Sequence, residues 1–307
     1  MVKLYKNFNI KKIHKKSIIL IGNFDGVHLG HQKLFKLAQS YKKKHHLKIG
    51  VLNFDPMPKM FFNPFLKNFK LSNIKQKFTL LKNLGVDFII TKEFNKPFSK
   101  TKSINFIKKI LHQKLKAKFI FVSNNFKFGN KREGNVNLLI KHEKTFYYKV
   151  VKPKPLILSK KIVSSSLIRR LLEKGFLNKA NKLLGRKWTI NGTVKKGRQI
   201  GKKIGFPTCN IDINDYILAK PGVYAVRVLR VNSSKYLKGI ANLGYRPTFN
   251  QKKILLEVHL FNFSGNLYNK YLSVEFLKFI RKEKKFRNIN QLKSQIKKDL
   301  NNAKKTK

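Results

Sequence analysis

Cysteine, carboxylates and membrane-length apolar runs are all scarce in this chain. A single cysteine, Cys209, rules out an internal disulfide and suits a reducing, cytoplasmic setting. No stretch of about 18 consecutive apolar residues occurs, so no transmembrane helix is expected. Lys3, Lys6, Lys11 and Lys12 are followed by no apolar segment before Ile18, so no secretory leader is expected either. Acidic residues number only 13 against 70 lysines and arginines, a formal net charge of +57. Such a balance ordinarily points to nucleic acid. Here, however, the lysines are spread through nearly every segment and outnumber the arginines 60 to 10, beside abundant Asn, Ile and Phe. That is the pattern of a coding bias toward A and T. Compositional drift, with mild attraction for anionic substrates, accounts for the charge. RNA binding is expected to be incidental and salt-sensitive, with no specific nucleic-acid partner. At 307 residues the chain has room for two domains, each with its own core.

The first half is organised around Ile21-Gly22-Asn23-Phe24-Asp25-Gly26-Val27-His28-Leu29-Gly30-His31-Gln32. An apolar run precedes it, and Leu34, Leu37, Ala38 and Tyr41 follow at helical spacing, which reads as strand, glycine-rich turn and helix. The glycines let the backbone come close to a ligand. The helix N-terminus offers N–H groups to an anion, and His28 and His31 can donate to phosphate oxygens. Two histidines three apart also fit a metal pair or a plain surface turn, but the neighbouring sequence offers zinc no third ligand. The glycines do not fit G-x-G-x-x-G, and the P-loop lysine is missing. Apolar runs at 17–21, 49–54, 87–91, 118–122 and 146–151 alternate with helical patterns at 32–44, 73–84 and 103–115. A parallel sheet covered on both faces is expected, with ligands at the carboxyl ends of its strands.

Two further loops fall at such ends. Asn53-Phe54-Asp55-Pro56-Met57-Pro58 is stiffened by its prolines, and a second loop runs from Ser123 to Gly134. Val163-Ser164-Ser165-Ser166-Leu167-Ile168-Arg169 places three hydroxyls ahead of a helix, where N-capping explains one. Beyond residue 185 the texture changes. Short β-branched and aromatic segments at 189–194, 223–231, 238–243, 255–261 and 273–280 recur between turns, as in an antiparallel barrel, and a helix over 290–303 follows. The string from Gly192 through Gly197, Gly201, Lys202, Gly205 and Pro207 to Thr208-Cys209-Asn210 joins a flexible glycine loop to a hydroxyl and an amide oxygen, which suit a hard Mg²⁺. Glu257 lies between Leu256 and Val258, where the plain reading is the solvent face of a strand.

Residues 22–32, read as Gly-x-Phe-Asp-Gly-x-His-x-Gly-His-Gln, resemble the ATP site of the His-x-Gly-His nucleotidyltransferases and, more closely, that of bacterial FAD synthetases. The segments at 54–58, 124–134 and 163–169 are similar to further motifs of that family, with Ser123 in place of Gly and Asn135 in place of Asp. The glycine string to Asn210, the segment Gly239 to Phe249, Glu257 with the turn at 263–268, and Arg281-x-Glu283-x-x-Phe286 resemble riboflavin kinases. There Lys202 replaces Arg, Asn262 replaces Asp and Asn269 replaces Gly. By this ordered set the chain is identified as a member of the bacterial bifunctional riboflavin kinase/FMN adenylyltransferase family.

The resemblance implies an α/β chain. Residues 1–184 would form a Rossmann-like nucleotidyltransferase domain with a parallel sheet, and residues 185–307 a six-stranded antiparallel β-barrel of the riboflavin kinase type with a terminal helix. It implies phosphorylation of riboflavin to FMN and adenylylation of FMN to FAD, with ATP and Mg²⁺ in both steps. For the first domain it implies that His28, His31 and Arg169 stabilise the transferring phosphates. Gly22, Phe24, Asp25, Gly26, Gly30, Ser164, Ser165 and Ser166 would meet ATP, and Asn53, Asp55, Asn125, Phe126, Phe128 and Arg132 the flavin. For the barrel it implies Gly197, Gly201, Lys202, Gly205 and Pro207 at ATP, Thr208 and Asn210 at the metal, and Arg281 and Phe286 at the flavin. Glu257 would act as base toward the ribityl hydroxyl. A monomer or weak homo-oligomer is expected. Retention of only one activity, or an RNA-binding role suggested by charge alone, are the other readings.

Overall fold

The fold is described from a computed structural model, which covers residues 2–197, 199–213, 216–230, 233–247 and 252–306. Two compact units result: residues 1–66 with 74–163, and residues 67–73 with 164–307.

In the first unit, runs of β-branched and aromatic residues form six strands: β1 (Lys3–Tyr5), β2 (Ile18–Ile21), β3 (Ile49–Asp55), β4 (Phe88–Glu93), β5 (Phe119–Phe121) and β6 (Lys149–Val151). They pair in parallel in the order β1-β4-β3-β2-β5-β6. All four residues of β2 are buried, as both faces of a parallel sheet require. Ile19 and Ile21 join Leu52 and Phe88 in one core, while Ile18 and Leu20 join Val51 and Ile89 in another. Helices α1 (Leu29–His45), α2 (Ile74–Asn83) and α3 (Phe106–Lys114) intervene. α3 is wound as a π-helix, which runs out in a bond from Leu115 N–H to Ile110 O. β1 extends the sheet beyond the strands expected from sequence, and the Tyr5 hydroxyl meets His14 Nδ1 at 2.7 Å beside it.

In the second unit, α4 (Ser165–Glu173) and α5 (Leu177–Leu184) precede the strands β7 (Thr189–Lys195), β8 (Cys209–Asp212), β9 (Gly222–Arg230), β10 (Tyr236–Pro247), β11 (Lys252–Leu260) and β12 (Tyr271–Lys282). These close into a barrel in the order β7-β8-β11-β10-β9-β12, and α6 (Ile289–Lys304) follows. The change of texture at Gly185 marks the left-handed close of α5, with φ +70°. The compact unit that holds the barrel also takes in residues 67–73 and 164–184. Asn181 on α5 accepts from Trp188 N–H (2.7 Å) and donates to Phe276 O (3.4 Å), and Trp188 Nε1–H reaches Leu71 O (3.1 Å). These bonds tie α5 and the 67–73 segment to the barrel. No helix among the described residues is long and apolar enough to cross a membrane.

Candidate active sites

At the carboxyl end of β2 the chain turns through Gly22, whose N–H bonds Leu52 O at 3.0 Å, into a loop of left-handed residues. Phe24 (φ +47°), Gly26 (φ +76°) and Val27 (φ +39°) all lie there. A β-branched residue in that region is strained, and such strain concentrates at ligand sites. Burial holds it in place: Phe24, Asp25 and Val27 are all inside, and Gln32 Nε2 donates to Val27 O (3.0 Å). His28 caps α1, its Nδ1 accepting from His31 N–H at 3.4 Å, so the proton of the neutral ring sits on Nε2. The two imidazoles stack with centroids 3.6 Å apart, and Phe24 presses on His31 edge to face at 5.2 Å. Space at Gly30 is tight: a methyl on it would lie 3.1 Å from both the His28 ring and Val163 O. A cation, Lys77, is buried beside the loop with Nζ 3.4 Å from Asn23 O.

Asn53, near the end of β3, is fully buried, and neither amide atom has a hydrogen-bond partner among the described residues. Buried polar atoms left unpaired cost free energy unless a ligand or an ordered water meets them. Asp55 is half-buried at the same strand end.

In the 123–134 loop, Asn125 and Arg132 are exposed and Phe126 is half-buried, its ring stacked on Phe128. Phe128 itself enters the core against Phe106 (5.3 Å), so its ring is a packing element. The two departures here have local work. The Ser123 hydroxyl donates to Asn125 Oδ1 (2.9 Å), and Asn135 caps the following helix by accepting from Leu138 N–H (3.0 Å). Ser164 caps α4 through Leu167 N–H (3.2 Å), with Ser165 half-buried and Ser166 exposed behind it. Arg169 is buried, its Nε–H on Phe69 O (2.7 Å) and its guanidinium 3.6 Å from the Phe69 ring centroid.

The barrel opens on a cavity of about 500 Å³. Strand register sets its chemistry: Asn210 on β8 and Asn242 on β10 both lie directly opposite Glu257 on β11, and all three line the cavity. Opposed residues share a face, so Glu257 looks into the cavity, not to bulk solvent. Thr208, Gly201, Arg281 and Phe286 line it too. The glycine loop lies against the metal-type end. A methyl on Gly197 would fall 1.7 Å from Asn210 Nδ2, so any larger residue there would displace the Asn210 amide. Asn210 Oδ1 is buried with no hydrogen-bond partner among the described residues. Pro207 O accepts from His259 Nδ1–H (2.8 Å), whereas Lys202 and Gly205 are exposed. Burial pushes the Cys209 thiol up, so it stays protonated and offers no thiolate. Asn269, standing where a glycine was expected, has φ +61°, a conformation asparagine tolerates. Thr248 and Phe249 lie outside the described residues.

Sequence reasoning missed Lys77 and Asp299, and it gave no site role to Asn23, Asn242, His259 and Glu283, although they fall inside its motifs. Only the shared cavity or the turn brings them to the sites. Among the described residues there is no group of three or more His, Cys, Asp or Glu that could hold a metal ion.

Residues 10–167 match the family model described as FAD synthetase, and residues 184–307 match riboflavin kinase. The bifunctional riboflavin kinase/FMN adenylyltransferase of Buchnera aphidicola subsp. Schizaphis graminum is 41% identical over 97% of this chain and 96% of its own length. The chain belongs to the bifunctional riboflavin kinase/FMN adenylyltransferase family. The Escherichia coli K12 family member is 35% identical over 92% of this chain and 90% of its own. A solved structure titled as a macrolide-efflux protein from Streptococcus pneumoniae superposes with a TM-score of 0.87 at 27% identity, over 100% of this chain and 99% of that one. Both halves of this family's architecture are therefore present, in order, in one chain.

Proposed function

We infer that the two units act in succession on one vitamin. The barrel unit moves the γ-phosphoryl group of ATP to riboflavin, giving FMN and ADP. The first unit joins FMN to the AMP part of a second ATP, giving FAD and pyrophosphate. The observation that carries this reading is the facing of Asn210, Glu257 and Asn242 into one cavity, beside Thr208, Arg281 and Phe286, in a chain whose other half bears the strained His28–His31 turn.

In the barrel, the Glu257 carboxylate accepts the proton of the ribityl hydroxyl as its oxygen bonds the γ-phosphorus and the bond to the β-phosphate oxygen breaks. Thr208 Oγ1 and Asn210 Oδ1 would hold a divalent cation, Mg²⁺ on the chemistry of a hydroxyl and an amide oxygen, and the unpartnered Asn210 Oδ1 fits that role. When bound, the ion offsets charge on the phosphates. The glycine loop through Gly197, Gly201 and Gly205 packs over the nucleotide.

In the first unit, a phosphate oxygen of FMN attacks the α-phosphorus of ATP and pyrophosphate leaves, with no covalent enzyme intermediate. His28, His31 and the α1 N-terminus stabilise the transferring charge, and Asn53 and Asp55 orient the flavin. Phosphate roles for Ser164, Ser165, Ser166 and Arg169 are proposed on their motif alone. The same reading makes the protein a cytoplasmic monomer or weak homo-oligomer.

The test is product analysis. Incubated with riboflavin and ATP·Mg²⁺, the chain should give FMN and then FAD by chromatography, and with supplied FMN it should give FAD. Formation of only one product would reject the two-step reading.

A further inference from the structure

We propose that Asp299 on α6 is a positioning residue for riboflavin, acting through Arg281 by fixing its guanidinium plane and cancelling its charge inside the barrel cavity. The proposal rests on the assignment of that cavity to riboflavin. Asp299 is 1% exposed in a chain with few carboxylates. Its two oxygens accept from Arg281 Nε–H at 3.0 Å each, Oδ2 accepts from Nη2–H at 2.8 Å, and Oδ1 takes a further bond from Gln295 Nε2 at 2.9 Å. Arg281 Nη1–H donates to the neighbouring Lys282 O at 2.9 Å. A guanidinium has five N–H groups in a fixed plane. With those bonds made, one N–H on each terminal nitrogen remains for a ligand, and both Arg281 and Asp299 line the cavity.

Two donors in a rigid fork, on a pair with no net charge, suit the carbonyl-bearing edge of a neutral planar heterocycle. An uncancelled cation at that wall would instead favour anions, and in a chain of net charge +57 the surroundings already favour phosphates. Asp299 thus makes this end of the cavity selective for the uncharged ring. The helix has an apolar seat besides the ion pair. Ile296, Leu300 and Ala303 pack against Val223, Ala225, Ile240 and Leu277. A neutral isostere at 299 therefore perturbs Arg281 while α6 keeps its apolar seat.

The experiment compares wild type, Asp299→Asn, Asp299→Glu and Gln295→Leu. The measurements are steady-state riboflavin phosphorylation, riboflavin affinity from quenching of its own fluorescence, and FAD formation from supplied FMN. Asp299→Asn should raise both KM and Kd for riboflavin about tenfold, with kcat within about twofold and KM for ATP unchanged. Asp299→Glu should recover part of the loss, and Gln295→Leu should show a change of about threefold in the same direction. A folded Asp299→Asn protein with unaltered riboflavin KM, or one whose kcat falls while that KM holds, overturns the proposal. So does an equal rise in KM for ATP. If Asp299→Asn fails to fold by circular dichroism, an unaltered riboflavin KM in Gln295→Leu overturns it equally. Absence of kinase activity in wild type counts against the function assignment, and the quenching Kd then still decides the role of Asp299.

Discussion

Replacing Asn53 by leucine should make the first unit more stable and its reaction worse. The side chain is fully buried, with both amide atoms unpaired among the described residues. A buried polar group without a partner costs about 1–3 kcal/mol. Leucine has nearly the same shape, so taking the low end for two groups gives a gain of about 2 kcal/mol in the ligand-free protein. In a unit of about 150 residues that lifts the melting midpoint by about 4–8 °C. If the amide is kept for the flavin, its loss removes two hydrogen bonds of about 1.4 kcal/mol each and raises the FMN KM about a hundredfold. Calorimetry reads the stability, since the single tryptophan, Trp188, lies in the second unit and its emission follows the barrel instead. Chromatography of FAD made from supplied FMN reads the chemistry, and riboflavin phosphorylation is the internal control. A lowered midpoint would show that the amide is satisfied without ligand. An unchanged FMN KM would remove Asn53 from the site.

His28→Ala and His31→Ala should each cost FAD formation on the order of 3 kcal/mol, roughly a hundredfold, while FMN formation stays intact. A parallel fall of both products in a folded variant rejects the assignment of one reaction to each unit. Glu257→Gln should stop riboflavin phosphorylation and leave adenylylation of supplied FMN unaffected; retained kinase activity removes Glu257 as base. His14 is held below its usual 6.5 by burial first and by Lys48 second. The unfolded chain therefore takes up a proton that the folded chain refuses, and the first unit should lose stability as pH falls through 6.5. His14→Gln should flatten that slope in calorimetry between pH 5 and 7.5; a slope unchanged by the substitution assigns it elsewhere. Glu143→Gln should cost about 1–2 kcal/mol in the same measurement, because the carboxylate accepts Val150 N–H at 2.6 Å. The same change at exposed Glu173 should stay within about 0.5 kcal/mol.

What sequence could reveal depended on whether the physical cause was local. β2 and β3 announce themselves because a strand buried on both faces is a continuous apolar run, and the turn after β2 because its glycines and cap are adjacent in sequence. β1 is three residues long and led by a lysine, so it carries no pattern and exists through pairing with β4. β8 is likewise hidden in Cys209–Asp212, a tetrad with one aliphatic residue, and only its partners β7 and β11 make it a strand. Phe128 shows another limit. Its loop was legible, but whether an aromatic in a loop turns to a ligand or to Phe106 is decided by tertiary packing. The Arg281–Asp299 pair spans 18 residues and two elements, so no local spacing betrays it.

The scarcity of acid is what makes the remaining carboxylates informative. An exposed ion pair contributes at most about 1 kcal/mol, so drift toward lysine removes surface acids at little cost. A carboxylate that satisfies a buried N–H or an internal arginine costs several times more to lose. Several of the survivors fit that rule, although exposed Glu93 and Glu173 do not. Asp87 accepts Ile49 N–H at 2.7 Å, Glu133 accepts Ser103 N–H at 2.6 Å, and Asp299 holds Arg281. Glu257 and Glu283 face the barrel cavity instead. In an ordinary protein a glutamate between Leu256 and Val258 would pass for a solvent-facing strand position. Here the scarcity of acid gives that reading less weight, and the register with Asn210 and Asn242 turns the carboxylate into the cavity instead.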